Sequence, residues 1–433
     1  MRPHIVDLND AMLRIARGAD ELLQSPAYAT FVNNQVELGD HGYAHAWLHP
    51  RQASNRFWHD LNTAPLTQFG KRVRHHGDLA FLHLQQLREH AGRPASAIVV
   101  VPGTYQRAQL SLLLGIAEAA GLGVTALVDS AVAAGATLPP GLFTVAEVLL
   151  HQTVLTRIEV TADQVVRRHL EGILGAGLVH FEQLFVRVIV DAFLTRCRFD
   201  PLHDARTEQL LHTHLPAWLS LLAEQPEIIL TIDHHGVRHQ TRLQREALAT
   251  AAAPLYQQIT QRATGSALVI DHRLNTLPGA RAGLRPLQVL AANAVFAGCV
   301  ASPDLRDLAP HGGVNLRVSL ARAENAPSAI VPPQSVAASP SHLLAQHTAY
   351  RLSATPLYLT PRGAVHTTRG PEAVCVVLKD PNGAQIEVLD SAQVALNGRV
   401  ISGHCALAVG DHISVPGAMA LFVPITVTTL NAV

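Results

Sequence analysis

The chain has 433 residues, 48% of them apolar and only 15% charged. That is material for two or three domains at about 100–200 residues each, and the composition excludes a chain that is mainly disordered. Thirty-three basic residues balance thirty-three acidic ones, so there is no overall positive field to hold nucleic acid or anionic lipid. Lysine occurs only as Lys71 and Lys379, the remaining basic residues being arginine, a bias expected of a GC-rich genome.

The opening Met1-Arg-Pro-His-Ile-Val-Asp7 lacks the basic stretch and apolar run of a secretory signal. No run reaches the ~18 apolar residues of a spanning helix; the nearest, Leu287 to Ala301, is broken by Gln288 and Asn293 and reads as a buried helix. Cys197, Cys299, Cys375 and Cys405 lie far apart without a Cys-x-x-Cys pair, which points to neither zinc nor a disulfide framework. The expectation is a soluble, reduced, cytoplasmic protein.

In chain order, Ser96 to Pro102 reads as a buried parallel strand, a β-branched run closed by Pro-Gly. Tyr105 to Ala120 carries helical spacing and ends at Gly121. Gly123 to Val128 is the next strand, and Ser130 opens a helix as its N-cap. Ala146 to Val160 predicts strand, turn, strand; Val165 to Leu194 predicts a helix interrupted by Gly172, Gly175 and Gly177. Ile228–Asp233 and Val237–Thr241 flank His-His-Gly as a hairpin. A strand at Ala267–Asp271 and a helix around Leu287–Val300 follow. Short β-rich runs alternating with helices imply α/β architecture for residues 1–325. Residues 326–345, rich in Pro, Ser and Ala, read as a linker. Residues 346–433, with turn-separated short runs, read as a small all-β domain.

Ile98-Val-Val-Val-Pro102-Gly-Thr-Tyr-Gln-Arg-Ala-Gln109 with Ala117-Glu-Ala-Ala-Gly-Leu122 is similar to a strand–Pro–helix segment of the seventy-kilodalton heat-shock chaperones. Leu127-Val-Asp129-Ser-Ala-Val-Ala-Ala134-Gly resembles the segment that follows it there. His4-Ile-Val-Asp7-Leu-Asn9-Asp-Ala stands where those proteins carry their first phosphate loop, and Ala29 to Asp40 resembles a strand pair of the MreB cell-shape proteins. Residues 1–320 therefore resemble the actin-like ATPase superfamily, which implies a two-lobed actin-like (ribonuclease H-like) fold.

The resemblance locates a site and also shows what has changed there. In the superfamily two glycine-rich hairpins clamp phosphates, because backbone N–H groups reach phosphate oxygens only where no Cβ intervenes. Here Asn9 stands at the glycine of the first hairpin, and Leu149, Leu150 and His151 replace those of the second. His272-Arg273-Leu-Asn-Thr-Leu-Pro278 replaces a glycine-containing turn beside the adenosine. Pro216, Leu219, Ser220 and Ala223 take the places of the residues that grip it. Asp7, Asp129 and Glu147 keep acidic character where the superfamily places Mg²⁺ and water-positioning carboxylates. They either pair with arginines and cap helices, or hold a metal or a cationic partner.

Twenty-five histidines include the close pairs His75-His76, His234-His235 and His212/His214, but no His-Glu-x-x-His or Cys/His spacing accompanies them. Surface or turn positions are expected. Gly172-Ile-Leu-Gly175-Ala-Gly177 does not follow a strand and open a helix as a dinucleotide loop must, and it resembles instead the glycines before a chaperone helix. No Gly-x-Ser-x-Gly or Walker loop is present.

From about Ala349, Val374–Leu378, Asp380-Pro-Asn-Gly383, Ile386–Asp390, Leu396-Asn397-Gly398-Arg399 and Leu407–Val415 resemble a forkhead-associated domain, a β-sandwich that often reads phosphothreonine. Of its phosphate contacts only Arg362 has a counterpart, and Glu372 falls where phosphate would be repelled. The expected function is a non-catalytic actin-like scaffold or adaptor with protein partners, no nucleic acid, no membrane and no cofactor. The alternative is an ATPase or ATP-gated switch holding ATP and Mg²⁺ through Asp7, Asp129 and Glu147. Self-association into filaments is a third expectation.

Overall fold

The computed structural model describes residues 2–306 except 68 and 70–72. Beyond them it describes 308, 314–322, 330–331, 340–345, 348–353, 355–361, 364–380, 383–389, 394–396, 399–401, 403–407, 411, 413–415 and 422–425. Two compact units emerge, Met1–Pro333 and Gln334–Val433. The first is α/β and the second, among its described residues, all-β.

The first half of the α/β unit begins with β1 (His4–Asp7), β2 (Leu13–Arg17) and β3 (Asp20–Ser25). A small sheet follows from β4 (Ala29–Val32), β5 (Gln35–Leu38) and β6 (Ala53–Ser54), with α1 (Asp40–His45) between the last two. Then come α2 (His76–His90), β7 (Ser96–Val101), α3 (Arg107–Ala119), β8 (Gly123–Asp129) and α4 (Ser130–Gly135).

The second half opens with β9 (Gly141–Val148), β10 (Gln152–Val160) and β11 (Gln164–Leu174). Helices α5 (Leu178–Cys197) and α6 (Ala205–Glu224) lead to the hairpin β12 (Glu227–His234) and β13 (Val237–Gln244). Next are α7 (Arg245–Arg262), β14 (Ala267–Ile270), α8 (His272–Thr276), α9 (Ala280–Leu284), β15 (Gln288–Leu290) and α10 (Ala294–Ala301). Short strands β16 (Leu316–Arg317), β17 (Ser319–Ala321) and β18 (Ile330–Val331) complete the unit.

Two sheets carry one strand order. In the first, β3-β2-β1 is an antiparallel meander and β7 and β8 run parallel to β1. In the second, β11-β10-β9 is the meander and β14 and β15 run parallel to β9. Parallel strands are buried on both faces and read as unbroken apolar runs. In β7, accordingly, Val99 and Val101 pack with Leu84, Leu87, Leu113 and Ile116 of α2 and α3. Ile98 and Val100 turn the other way, into a layer shared by α4, α10 and the facing residues Val145 and Val269 of the second sheet. The outer face of that sheet is covered by α5 and α7 through Phe181, Phe185 and Tyr256. At the shared layer a Cβ on Gly298 of α10 would strike the Ala133 carbonyl of α4, so glycine lets the two helices touch.

Four expectations change. The stretch 165–194 is not one helix: Gln164–Leu174 is strand, paired with β10 along its length, and the helix begins only at Leu178. The cap of α4 is Asp129, whose carboxylate accepts from Ala131 and Val132 N–H, and Ser130 is already helical. The helix expected around Leu287–Val300 is strand at Gln288–Leu290 before α10 starts. Inside the stretch read as linker, Ile330–Val331 pairs with β15, and His342–Ala345 is a strand of the second unit. Long-range pairing overrides local composition in each strand case. The strands expected at 96–102, 123–128 and 146–160 and the hairpin at 228–241 are present.

The second unit consists of two antiparallel sheets sharing one core. Leu343 and Phe422 of one sheet join Leu359, Cys375, Val377 and Ile386 of the other. Arg362 and the Asn397-Gly398 turn lie outside the described residues. No described helix is long and apolar enough to cross a membrane.

Candidate functional site

Corresponding turns of the two sheets face each other: the β1–β2 turn (residues 8–12) and the β9–β10 turn (residues 149–151). They are joined by side chains. Asn9 Nδ2 donates to the Val148 carbonyl at 3.1 Å and to Glu147 Oε1 at 3.2 Å, while its Oδ1 accepts from Ala11 N–H. Leu150 N–H donates to Asp10 Oδ1 at 2.7 Å. All these groups are buried.

A helix N-terminus beside such turns is ordinarily a place for an anion. Here the first N–H groups of α5 are already used: Leu178 donates to the Leu149 carbonyl and Val179 to the Leu150 carbonyl. Gly177 permits that approach, since a Cβ there would strike the Leu150–Gln152 backbone. His151 turns outward to the Asn55 carbonyl at 3.0 Å, with Arg56 at 3.4 Å from its other ring nitrogen. Burial lowers its pKa to about 4, so the ring is neutral at pH 7.

Of the three acidic residues singled out in the sequence, Asp7 and Glu147 border one small cavity at this place, while Asp129, at the end of β8 two strands from β1, does not; each is in a different state. Asp7 pairs with Arg14, its direct cross-strand neighbour, at 2.7 Å. Arg14 also reaches Glu21 and the Ala292 carbonyl and lies over the Phe296 ring. Asp129 is held by Arg167 at 2.6 Å besides capping α4; burial raises its pKa against that pairing. Glu147 forms no ion pair among the described residues, though the Arg273 charge acts on it. It accepts from Ser130 Oγ at 2.5 Å and from Asn9. Burial, with the nearby Asp7 charge, raises its pKa to about 8, leaving it a neutral acid at pH 7. Pairing with arginine and helix capping thus describes Asp7 and Asp129 but not Glu147.

The space between these groups does not fit Mg²⁺ and phosphate. The cavity bordered by Asp7, Ser130, Glu147 and Asp271 has a volume of about 20 Å³, room for one water, and Arg14 and Arg273 also border it. An octahedral Mg²⁺ needs several oxygen ligands and its own waters. Among the described residues no group of three or more His, Cys, Asp or Glu side chains could hold a metal.

A wider cavity of about 610 Å³ opens on the other side of Arg14 and Arg273. His272, Arg273 and Leu150 border it together with Pro216, Leu219 and Ser220 of α6, so the two segments aligned with the adenosine side do meet; Ala223 does not border it. Arg273 donates to the Met12 carbonyl at 3.0 Å, and burial with both arginine charges drives His272 down to about 2. Across this cavity the α1 segment and α6 are fastened. Trp47 N–H donates to Gln209 Oε1 and Gln209 Nε2 to the Tyr43 carbonyl, each at 3.1 Å. The Tyr43 hydroxyl donates to the His212 carbonyl at 2.9 Å, and the Trp47 and His212 rings stack 3.7 Å apart.

Sequence reasoning missed Arg14, Asp10, Arg167 and Asp271, which set the charge of the site. Arg14 had a signal, since a hairpin turn over Leu8–Met12 places it opposite Asp7. Asp271 caps α8 through Leu274 N–H, and Asp-His-Arg-Leu is a legible capping pattern. No family model matches the chain, and no curated protein matches it in sequence.

Proposed function

We propose that the chain is a catalytically silent relative of the actin-like ATPases, joined to a forkhead-associated-like sandwich, and that it works as a scaffold or adaptor for protein partners. The strand order shared by the two sheets, with a helical layer between them, supports the two-lobed reading. One observation carries the loss of nucleotide chemistry: side chains of the first turn hydrogen-bond to the backbone of the second hairpin where a phosphate clamp would open, Asn9 donating to the Val148 carbonyl and Asp10 accepting from Leu150 N–H. Those bonds consume the Asn9 amide and the Leu150 N–H, donors that a clamp would offer an anion.

Isothermal titration with Mg-ATP tests the reading. No saturable heat is expected; micromolar binding that disappears in Asp7→Asn would overturn it. A second reading, an ATP-gated switch, draws on the 610 Å³ cavity flanked by Arg14 and Arg273. Nucleotide-dependent tightening of the α1–α6 contact, or hydrolysis lost in Glu147→Gln, would favour it.

A further inference from the structure

Beside the first turn, on the opposite side from the wide cavity, lies a pocket of about 190 Å³. We propose that it binds an alkylammonium group, the –CH₂–NH₃⁺ end of a small amine or of a lysine side chain. The inference does not depend on the scaffold reading.

The anchor is Asp10, which is 3% exposed. Oδ1 accepts from Leu150 N–H, and the Asp10 and Ala11 backbone amides also act on the carboxylate, while Oδ2 is buried with no partner within hydrogen-bond geometry among the described residues. Buried polar atoms are almost always satisfied, and an orphan carboxylate oxygen calls for a ligand or an ion. Asp10 borders this pocket and neither of the other two cavities around the turns. No lysine or arginine is among the described residues lining it. Arg273, which acts on Asp10 electrostatically, borders the other two cavities and donates to Met12. Of the other titratable groups of the lining, His59 has its pKa lowered and Tyr105 its pKa raised by burial. Asp10 itself stands at about 6 through burial, so at pH 7.5 the pocket carries one net negative charge.

The remaining walls select the cation. Trp58 and Tyr105 have spent their polar atoms, the indole N–H on His83 and the hydroxyl on the Trp58 carbonyl. They offer rings to the pocket, and rings attract cations. Leu8 and Leu149 supply aliphatic surface. His59, Thr104, Gln109 and Gln152 line the pocket as well, the two glutamine amides already donating to the His59 carbonyl and to Thr104 Oγ1. A single carboxylate is a poor cage for a metal ion, which wants several anionic oxygens, whereas one anion beside two rings and two leucines suits a charged amine on a short carbon chain. At about 190 Å³ the pocket is several times the volume one water needs, room for the short chain of n-butylammonium.

The test uses the full chain labelled with ¹⁵N at its tryptophan indoles, with the Trp58 resonance identified by elimination in Trp47→Phe and Trp218→Phe. n-Butylammonium chloride is titrated at pH 7.5 and constant ionic strength, beside n-butanol, its uncharged analogue. The expected result is a saturable shift of the Trp58 resonance with a Kd in the millimolar range or tighter, butanol at least tenfold weaker, and at least tenfold loss in Asp10→Asn. A butanol response equal to that of the amine, a still Trp58 resonance, or an unaffected Asp10→Asn would overturn the proposal. If Asp10→Asn does not fold, the comparison of amine with alcohol on the unmodified chain still decides. Nα-Acetyl-lysine N-methylamide separates the sources: binding as tight as butylammonium assigns the site to a lysine side chain, and binding at least tenfold weaker assigns it to a free amine.

Discussion

Asp7 ends β1 and Glu147 stands one residue before the end of β9, the leading strands of two sheets with the same strand order, and both are buried, at 2% and 8% exposure. Their cross-strand partners differ. Asp7 faces Arg14, whereas Glu147 faces Val154. The first carboxylate is an ion pair and the second a neutral acid held by Ser130 and Asn9. A topologically equivalent position therefore does not fix a charge state; the residue opposite it in the register does. The consequence for chemistry is direct: a divalent cation placed between them would have to displace the Glu147 proton and compete with Arg14 for Asp7.

The sharpest way to break the comparison is to make Asp7 resemble Glu147 by removing its cation. Arg14→Met leaves a buried carboxylate near Glu147 and Asp271, and losing one partner of a buried pair costs about 3–5 kcal/mol. Urea unfolding at pH 7 should show that loss, and Asp7→Asn combined with Arg14→Met should recover most of it. A loss below about 1 kcal/mol would mean that the pair does not hold the strand ends together.

The converse is to remove the ionisable group from the second sheet. Glu147 stands at about 8 when folded, against an ordinary 4.5. Below pH 4.5 both folded and unfolded chains hold the proton. Between 4.5 and 8 the unfolded chain releases it and the folded chain keeps it, so stability falls as pH rises and levels off above 8. Glu147→Gln keeps an acceptor for Asn9 and removes this term. The variant is expected to be more stable than the natural chain at pH 8 by on the order of 2 kcal/mol, with the advantage shrinking toward pH 4.5. Asp10 and Asp271, each raised to about 6, and Glu182, raised to about 7, tilt the natural profile the same way. His83 at about 3 and His151 and His212 at about 4 oppose it on the acid side. Their burial as neutral rings costs stability as pH falls below 6.5. Thermal denaturation from pH 4.5 to 8.5 resolves both limbs.

What the sequence disclosed follows from the range of each interaction. The run Ile98–Val101 is legible because burial on both faces leaves a purely apolar text. The loss of glycine at Asn9, Leu149 and Leu150 is legible because it is written in residue types. The stretch 164–174 misleads because Val165, Val166, Leu170 and Ile173 fit helical spacing, while the pairing with β10 that decides the matter is not local. The bond from Asn9 to Val148 spans 139 positions, and nothing near either residue announces it. The charge of Glu147 is equally hidden, since it depends on Val154 across the strand and on Ser130 from another element.

A smaller perturbation tests whether the two turns are truly locked. Asn9→Ala deletes both donations to the second turn and leaves the Val148 carbonyl in want of a donor, which costs about 1–3 kcal/mol in a buried setting. Asn9→Gly restores the phosphate-loop residue type at one position only. It is expected to lose similar stability and still give no heat with Mg-ATP, because Leu150 N–H remains on Asp10 and the first N–H groups of α5 remain on Leu149 and Leu150. Saturable Mg-ATP binding by Asn9→Gly would place the whole obstruction in one side chain.

The smallest expected effect lies at the α1–α6 fastening. Tyr43→Phe removes the donation to the His212 carbonyl and nothing else of size, because the ring still meets Tyr28 and Trp47 edge-on at about 5 Å. A single hydrogen bond lost from a partly exposed pair is worth about 0.5–1.5 kcal/mol. The Gln209 bridge and the Trp47–His212 stack stay in place. Global unfolding should therefore move little, while amide exchange in residues 40–47 and 205–215 accelerates up to about tenfold, the equivalent of 1.4 kcal/mol in local opening. Exchange unchanged in both segments would show that the stack and the Gln209 bridge suffice, and that closure over the wide cavity does not depend on the Tyr43 hydroxyl.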